Sequence, residues 1–108
     1  MTSDPIVVLM TAANAEEASR IAEMLVSQKL AACVQILPEN QSIYVWKGEV
    51  QRENEVLLLA KTTRTKFDQL EREVRAIHSY ETPEIIALPV AAASESYLKW
   101  LLSSCEGS

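Results

Sequence analysis

Four runs of strand-forming residues alternate with two helical stripes, and their order along the chain admits very few folds. The run Ile6-Val7-Val8-Leu9-Met10 is short, apolar and rich in β-branched residues, so it reads as a strand. Asn14 stands three residues before Glu17, in the manner of a capping box. Ala18, Ile21, Ala22, Leu25 and Val26 recur at helical spacing and predict a helix from about Ala15 to Gln28. A second strand, Leu30 to Leu37, is interrupted by Pro38 and Asn40. Extended character resumes in "SIYVWKGEV", with Tyr44 and Trp46 on one face and Ile43 and Val45 on the other. Lys47-Gly48 supplies the turn, because glycine tolerates positive φ. The third strand, Glu55 to Thr62, holds an unbroken apolar run from Val56 to Ala60 and reads as central. Phe67, Leu70, Val74 and Ile77 form the stripe of a second helix that begins near Thr65 or Lys66. "PEIIALPV" is the fourth strand; Pro89 cannot donate a ladder hydrogen bond, which places it on an edge. Ser94 caps a last helix that carries Tyr97, Leu98, Leu101 and Leu102.

The order β-α-β-β-α-β plus a terminal helix is an α+β, ferredoxin-like arrangement. Two helices cover one face of an antiparallel sheet. The strands are apolar on both sides, so the last helix or other subunits must cover the second face. The hairpin through "SIYVW" projects beyond so small a sheet and exposes an edge. A closed cyclic oligomer answers both problems.

The chain of 108 residues reads as a single domain over residues 1–108. Its net charge of −5 disfavours nucleic acid and anionic membrane surfaces, which need a basic face. The longest apolar run, "IIALPVAAA", is too short and proline-broken for membrane insertion. Cys33 lies among apolar neighbours and Cys105 in a polar tail, where it reads as exposed and oxidisable. Two unmatched environments predict free thiols in a reducing compartment, and the N-terminus lacks the basic region of a signal peptide. The expectation is a cytoplasmic protein that requires no cofactor.

Chemistry concentrates in "IHSYETPE", which holds the only histidine. His78, Glu81 and Glu84 offer imidazole and carboxylate donors to a divalent cation, with Tyr80 nearby. The structural alternative has His78 bonding the last carbonyls of the second helix. Glu84 has its own alternative, an ion pair with Lys61 at the end of the third strand. An enzyme reading would use His78 as general base oriented by Glu81 or Glu84, but no substrate-binding motif accompanies it. Tyr44, Trp46 and Trp100 read first as subunit-interface anchors; Trp46, Tyr80 and Lys61 are also candidates to line a ligand cleft. Cys33 reads as a small core hydrophobe. With two glycines in all, a phosphate-cradling loop is not expected.

"KLAACVQILP", "SIYVWKGEV", "EVLLLAKT", "IHSYETPEIIALPV" and "SYLKWL", in this order and with these gaps, resemble the CutA family of divalent-cation tolerance proteins from about Leu9 to Leu101. The resemblance implies a ferredoxin-like fold in a homotrimer, similar in architecture to the PII signalling proteins. It implies a role in tolerance of copper and other divalent metals, with weak binding of copper(II) or another divalent cation and no enzyme activity. A signalling or scaffold module whose inter-subunit cleft takes a small metabolite or an unknown protein partner is the alternative it suggests. Ligands proposed in some members correspond here to Met10, Ile77 and Glu84, of which the glutamate alone can ligate as in those members. His78-Ser79-Tyr80 stands where the family usually reads His-Pro-Tyr, a change expected to loosen the turn. Ala91-Ala92-Ala93 stands where a glycine is usual after the last strand.

Overall fold

The computed structural model describes residues 4–106. Its elements are β1 (Pro5–Ala12), α1 (Ala15–Ser27), β2 (Cys33–Trp46), β3 (Glu49–Thr63), a 3₁₀ turn (Arg64–Lys66), α2 (Phe67–Ile77), β4 (Ile85–Pro89) and α3 (Glu95–Ser104). The sheet order is β2-β3-β1-β4 with antiparallel neighbours throughout, which is the expected split βαβ topology. β3 is central and β4 is an edge, as the unbroken apolar run and Pro89 require.

Alternation sorts the two faces. Ile6, Val8, Met10 and Ala12 of β1 and Val56, Leu58 and Ala60 of β3 point to one side. There they meet Ala18, Ile21 and Leu25 of α1 and Leu70 and Val74 of α2 in one core. On the other side α3 makes a small second cluster, in which Leu101 and Cys105 pack on Ala32. α3 leaves much of that face open: Leu37, Ile86 and Leu88 remain exposed. Cys105 is 4% exposed with its Sγ 3.7 Å from the Thr62 hydroxyl, so it is a buried thiol rather than the exposed one expected.

Local chemistry moves several boundaries. β2 begins at Cys33, not Leu30, because the end of α1 claims the intervening residues. Lys29 takes a left-handed φ of 59°, its N–H bonds the Val26 carbonyl, and the Leu30 N–H bonds the Leu25 carbonyl at 2.8 Å. That pair of bonds is a Schellman closure, made with lysine where glycine is usual. Pro38 and Asn40 bend β2 without ending it. The register shifts between Leu37 and Asn40, and Glu39 has φ 61°. β2 is an edge strand, so the N–H that Pro38 lacks removes no ladder bond the sheet needs. Ser94 occupies the N-cap of α3, but its side chain makes no capping bond.

β1 pairs with β3 only from Val56 onward, so the hairpin from Asn40 to Glu55 is a two-stranded arm beyond the sheet. The arm stretches the molecule to 45 × 26 × 23 Å. Lys47 and Gly48 both have positive φ, 52° and 81°, the signature of a two-residue type I′ turn that keeps the arm's twist.

A buried carboxylate ties the two loops at the root of this arm. Asn14 caps α1 by accepting the Glu17 N–H at 2.9 Å. The Glu17 carboxylate reaches back to the Ala13 N–H at 2.9 Å and across to Ser79, whose N–H and hydroxyl donate at 2.6 and 3.1 Å. Ser79 therefore fastens the α2–β4 junction rather than loosening it; proline at this position has no N–H to give. Burial pushes the Glu17 carboxyl up, but the bonds from the Ala13 N–H and from the Ser79 N–H and hydroxyl outweigh it and hold it below its ordinary 4.5. A depressed carboxylate stabilises the fold fully above that ordinary value and loses the contribution as pH falls through the folded one. Glu17→Gln should cost about 1–3 kcal/mol at neutral pH, because an amide cannot accept from donors on every side. It should also flatten the acid limb of the stability curve below pH of about 4.5. Urea unfolding of wild type, Glu17→Gln, Ser79→Pro and the double variant checks the pair. Shared bonds predict that the double variant loses less than the sum of the two single losses.

Candidate functional site

His78 ends α2 as its C-cap, with φ −76° and ψ 143°. Its ring does not turn back to the helix carbonyls. The side chain is 0% exposed and lies against β1. Nε2 is 2.7 Å from the Thr11 carbonyl, which only accepts, so Nε2 carries the hydrogen and donates. Nδ1 accepts the Tyr80 N–H at 3.0 Å. The partners thus select the neutral Nε2–H tautomer, and the Glu17 oxygen 3.9 Å from Nδ1 is a neighbour rather than an ion-pair partner. Both nitrogens are engaged inside the protein, and no lone pair faces solvent. His78 positions Tyr80, whose ring lies 4.8 Å away.

Tyr80 carries that order into the arm. Its hydroxyl donates to Glu55 Oε2 at 2.7 Å, while the Ser42 hydroxyl donates to Glu55 Oε1 at 2.6 Å. Asn40 Nδ2 donates in turn to Ser42 Oγ at 3.3 Å. Burial, then the Glu55 carboxylate, pushes the Tyr80 phenol well above its usual range, so it stays a donor. This is the one side-chain tie seen between the α2–β4 loop and the arm among the described residues.

Between loop and arm lies an open cleft of about 760 Å³. Glu53 and Glu55 border it from the arm, and Glu81 and Glu84 from the loop; Tyr44, Trp46 and Tyr80 supply rings to its wall. The register explains the grouping. Ser42 faces Glu53, Tyr44 faces Gln51 and Trp46 faces Glu49, so alternate residues of both strands share one side of the arm. Val45 and Val50 pair on the other side, each 66% exposed.

The structure thus brings together Glu81, Glu84, Tyr80, Tyr44 and Trp46 of the residues singled out in the sequence. His78 lies behind the cleft wall. Lys61 is elsewhere: its Nζ sits 5.7 Å from the Tyr97 ring centroid, and it makes no ion pair with Glu84. Trp100 is on α3, 5.4 Å from the Tyr97 ring and half exposed. Met10 is fully buried in the core, so its thioether faces no solvent. Among the described residues no three His, Cys, Asp or Glu side chains gather closely enough to hold a metal ion within one protomer. Sequence reading missed Ser42, Glu53 and Glu55. A two-residue turn at Lys47-Gly48 fixes the register by counting, which sets Ser42 against Glu53, and that signal was available.

The profile of the family described as CutA1 divalent ion tolerance protein matches residues 6–104. The divalent-cation tolerance protein CutA of Thermus thermophilus is 50% identical over 95 residues, covering 88% of this chain and 92% of the relative. The chloroplastic protein CutA of Arabidopsis thaliana is 44% identical over 103 residues, and the match covers 95% of this chain but 57% of that relative. The crystal structure of CutA1 from Oryza sativa aligns with a TM-score of 0.94 at 44% identity, covering 99% of this chain and 98% of that one. Sequence profile, relatives and architecture agree over nearly the full length, and the chain belongs to the CutA1 divalent ion tolerance family.

Proposed function

We propose that the protein is a non-enzymatic homotrimer that takes part in tolerance of divalent metal ions, with weak cation association in the cleft beneath the arm. The observation that carries this reading is the cleft itself, where Glu53, Glu55, Glu81 and Glu84 border one open space. None of the ion pairs seen among the described residues involves them. Four like charges without a counter-ion favour a bound cation. Oxygen donors suit harder cations, and the protein offers the cleft no soft donor to select copper(II). Ligands from a second protomer would complete the shell. The free thiols Cys33 and Cys105 support a reducing, cytoplasmic setting, and no helix among the described residues is long and apolar enough to cross a membrane.

Assembly follows from what one protomer leaves uncovered. Val45 and Val50 on the arm's outer side, Ile86 and Leu88 on the sheet face that α3 leaves open, and Trp100 on α3 are large and exposed. Val45, Val50, Ile86 and Leu88 are the interface anchors, alongside the Trp100 expected from sequence, while Tyr44 and Trp46 wall the cleft. Sedimentation equilibrium should return about three times the 12.0 kDa chain mass. Val45→Glu/Leu88→Glu should shift it to the monomer.

One observation favours a second reading, a signalling or scaffold module whose cleft takes a small ligand: about 760 Å³ far exceeds the room a bare ion needs. Calorimetric titration with magnesium and copper(II) tests the leading reading. Dissociation constants on the order of 10⁻⁴ to 10⁻³ M are expected, as for other weakly held oxygen sites. Glu81→Gln/Glu84→Gln should abolish the heats, whereas His78→Ala should lower the melting temperature and leave them. Heats unchanged in the glutamine variant would reject the cleft as the cation site.

A further inference from the structure

We propose that the cleft takes a linear alkyl polyammonium ion, an aliphatic chain bearing an ammonium group toward each end. The proposal rests on the small-ligand reading of that cleft and names its chemical class. Volume comes first: about 760 Å³ lies within the range of roughly 300–1,000 Å³ typical of small-molecule sites. A metal ion wants its oxygen donors converging at about 2.0–2.6 Å. The cleft carboxylates make no such convergent group among the described residues.

Their placement suits separated charges instead. Glu53 comes from the arm and Glu81 and Glu84 from the loop opposite, so negative charge stands on two sides of one space. Glu55 is already committed, because both its oxygens accept from hydroxyls, and it serves to fix the Tyr80 ring in the wall. The same space is lined by Ile43, Tyr44, Trp46 and Tyr80, beside Thr11, Ser42 and Thr82. Trp46 is 62% exposed in one protomer. An ammonium group over an aromatic face is attracted by the ring quadrupole, and a methylene stem covers apolar surface that a hydrated metal ion leaves wet.

The charge selects against other small ligands. A net charge of −5 and four carboxylates repel anions, and a neutral molecule leaves the carboxylates unpaired. A basic peptide is the competing cation. About 760 Å³ is the size of a small-molecule site, so a compact small molecule is the better fit to charge and volume together.

Calorimetry on the assembled protein at physiological ionic strength, with spermidine as the probe, tests this. Binding should saturate at one spermidine per protomer, with magnesium chloride at matched ionic strength and octane-1,8-diol giving no comparable heat. Trp46→Ala and Glu81→Gln/Glu84→Gln should each weaken binding about fivefold or more. These positions are exposed, and circular dichroism and sedimentation should show both variants folded and assembled as wild type. Spermidine heats no larger than those of magnesium, or variants that titrate as wild type, would overturn the proposal. So would a lysine-containing peptide that outcompetes spermidine, which would assign the cleft to a protein partner. Copper(II) binding without spermidine binding overturns this inference and leaves the metal reading standing; the reverse result does the opposite. A neutral or anionic metabolite that raises the melting temperature where spermidine does not would overturn the ligand class while keeping a small-ligand cleft.

Discussion

The buried Glu17 carboxylate is the constraint on which the functional side of this fold depends. Two loops far apart in sequence meet there, the β1–α1 turn through Ala13 and the α2–β4 junction through Ser79. Burying a carboxylate costs several kcal/mol unless donors replace its water, and three donors do so here. The payoff is directional. With Ser79 pinned, His78 bridges the Thr11 carbonyl and the Tyr80 N–H, and Tyr80 reaches Glu55 on the arm. A chain of short hydrogen bonds thus runs from the first helix cap to the cleft wall. Each donor and acceptor in it has one compatible role, so the chain has one arrangement.

Ser79 shows how one position can change the means and keep the result. The family resemblance places proline here, which would stiffen the junction by fixing φ. Serine gives up that stiffness and supplies an N–H and a hydroxyl to Glu17 instead. Rigid backbone is replaced by a hydrogen-bonded one. The sequence alone could not reveal this compensation, because Glu17 lies 62 residues away and reads locally as part of a helix cap.

What was legible in the sequence follows the range of the forces involved. Strand and helix order came from periodicity, which is local, and so did the Lys47-Gly48 turn and the edge position of Pro89. The misread boundaries are places where residues act against type. Lys29 and Glu39 take left-handed φ where glycine or asparagine would have signalled it. Pro38 sits within a strand because that strand is an edge. At the site, "IHSYETPE" announced polar chemistry but not its partition. Glu81 and Glu84 face the cleft, whereas His78 faces the core, and only packing against Thr11 decides that. Lys61 failed as a partner for Glu84 for a related reason: β1 lies between their strands, and the register sets Lys61 opposite Val7 but Ile85, next to Glu84, opposite Met10.

The partition bears on what metal tolerance can mean at the level of one protomer. Soft or borderline donors would favour copper(II), and three positions singled out for such a role offer none to the cleft: Met10 is in the core, His78 is held in two hydrogen bonds, and Ile77 has no donor at all. What faces solvent is a wall of carboxylates and aromatic rings. Such a wall attracts cations through long-range charge and holds them through ring faces, but it discriminates poorly among bare ions, because selectivity among metals comes from donor type and convergent geometry. The proposed cation association at this cleft therefore depends on total negative charge and on what a second protomer would add to it. The proposed organic cation depends on it less, since carboxylates on the arm and on the loop can take separate ammonium groups while rings of the same cleft cover an apolar stem.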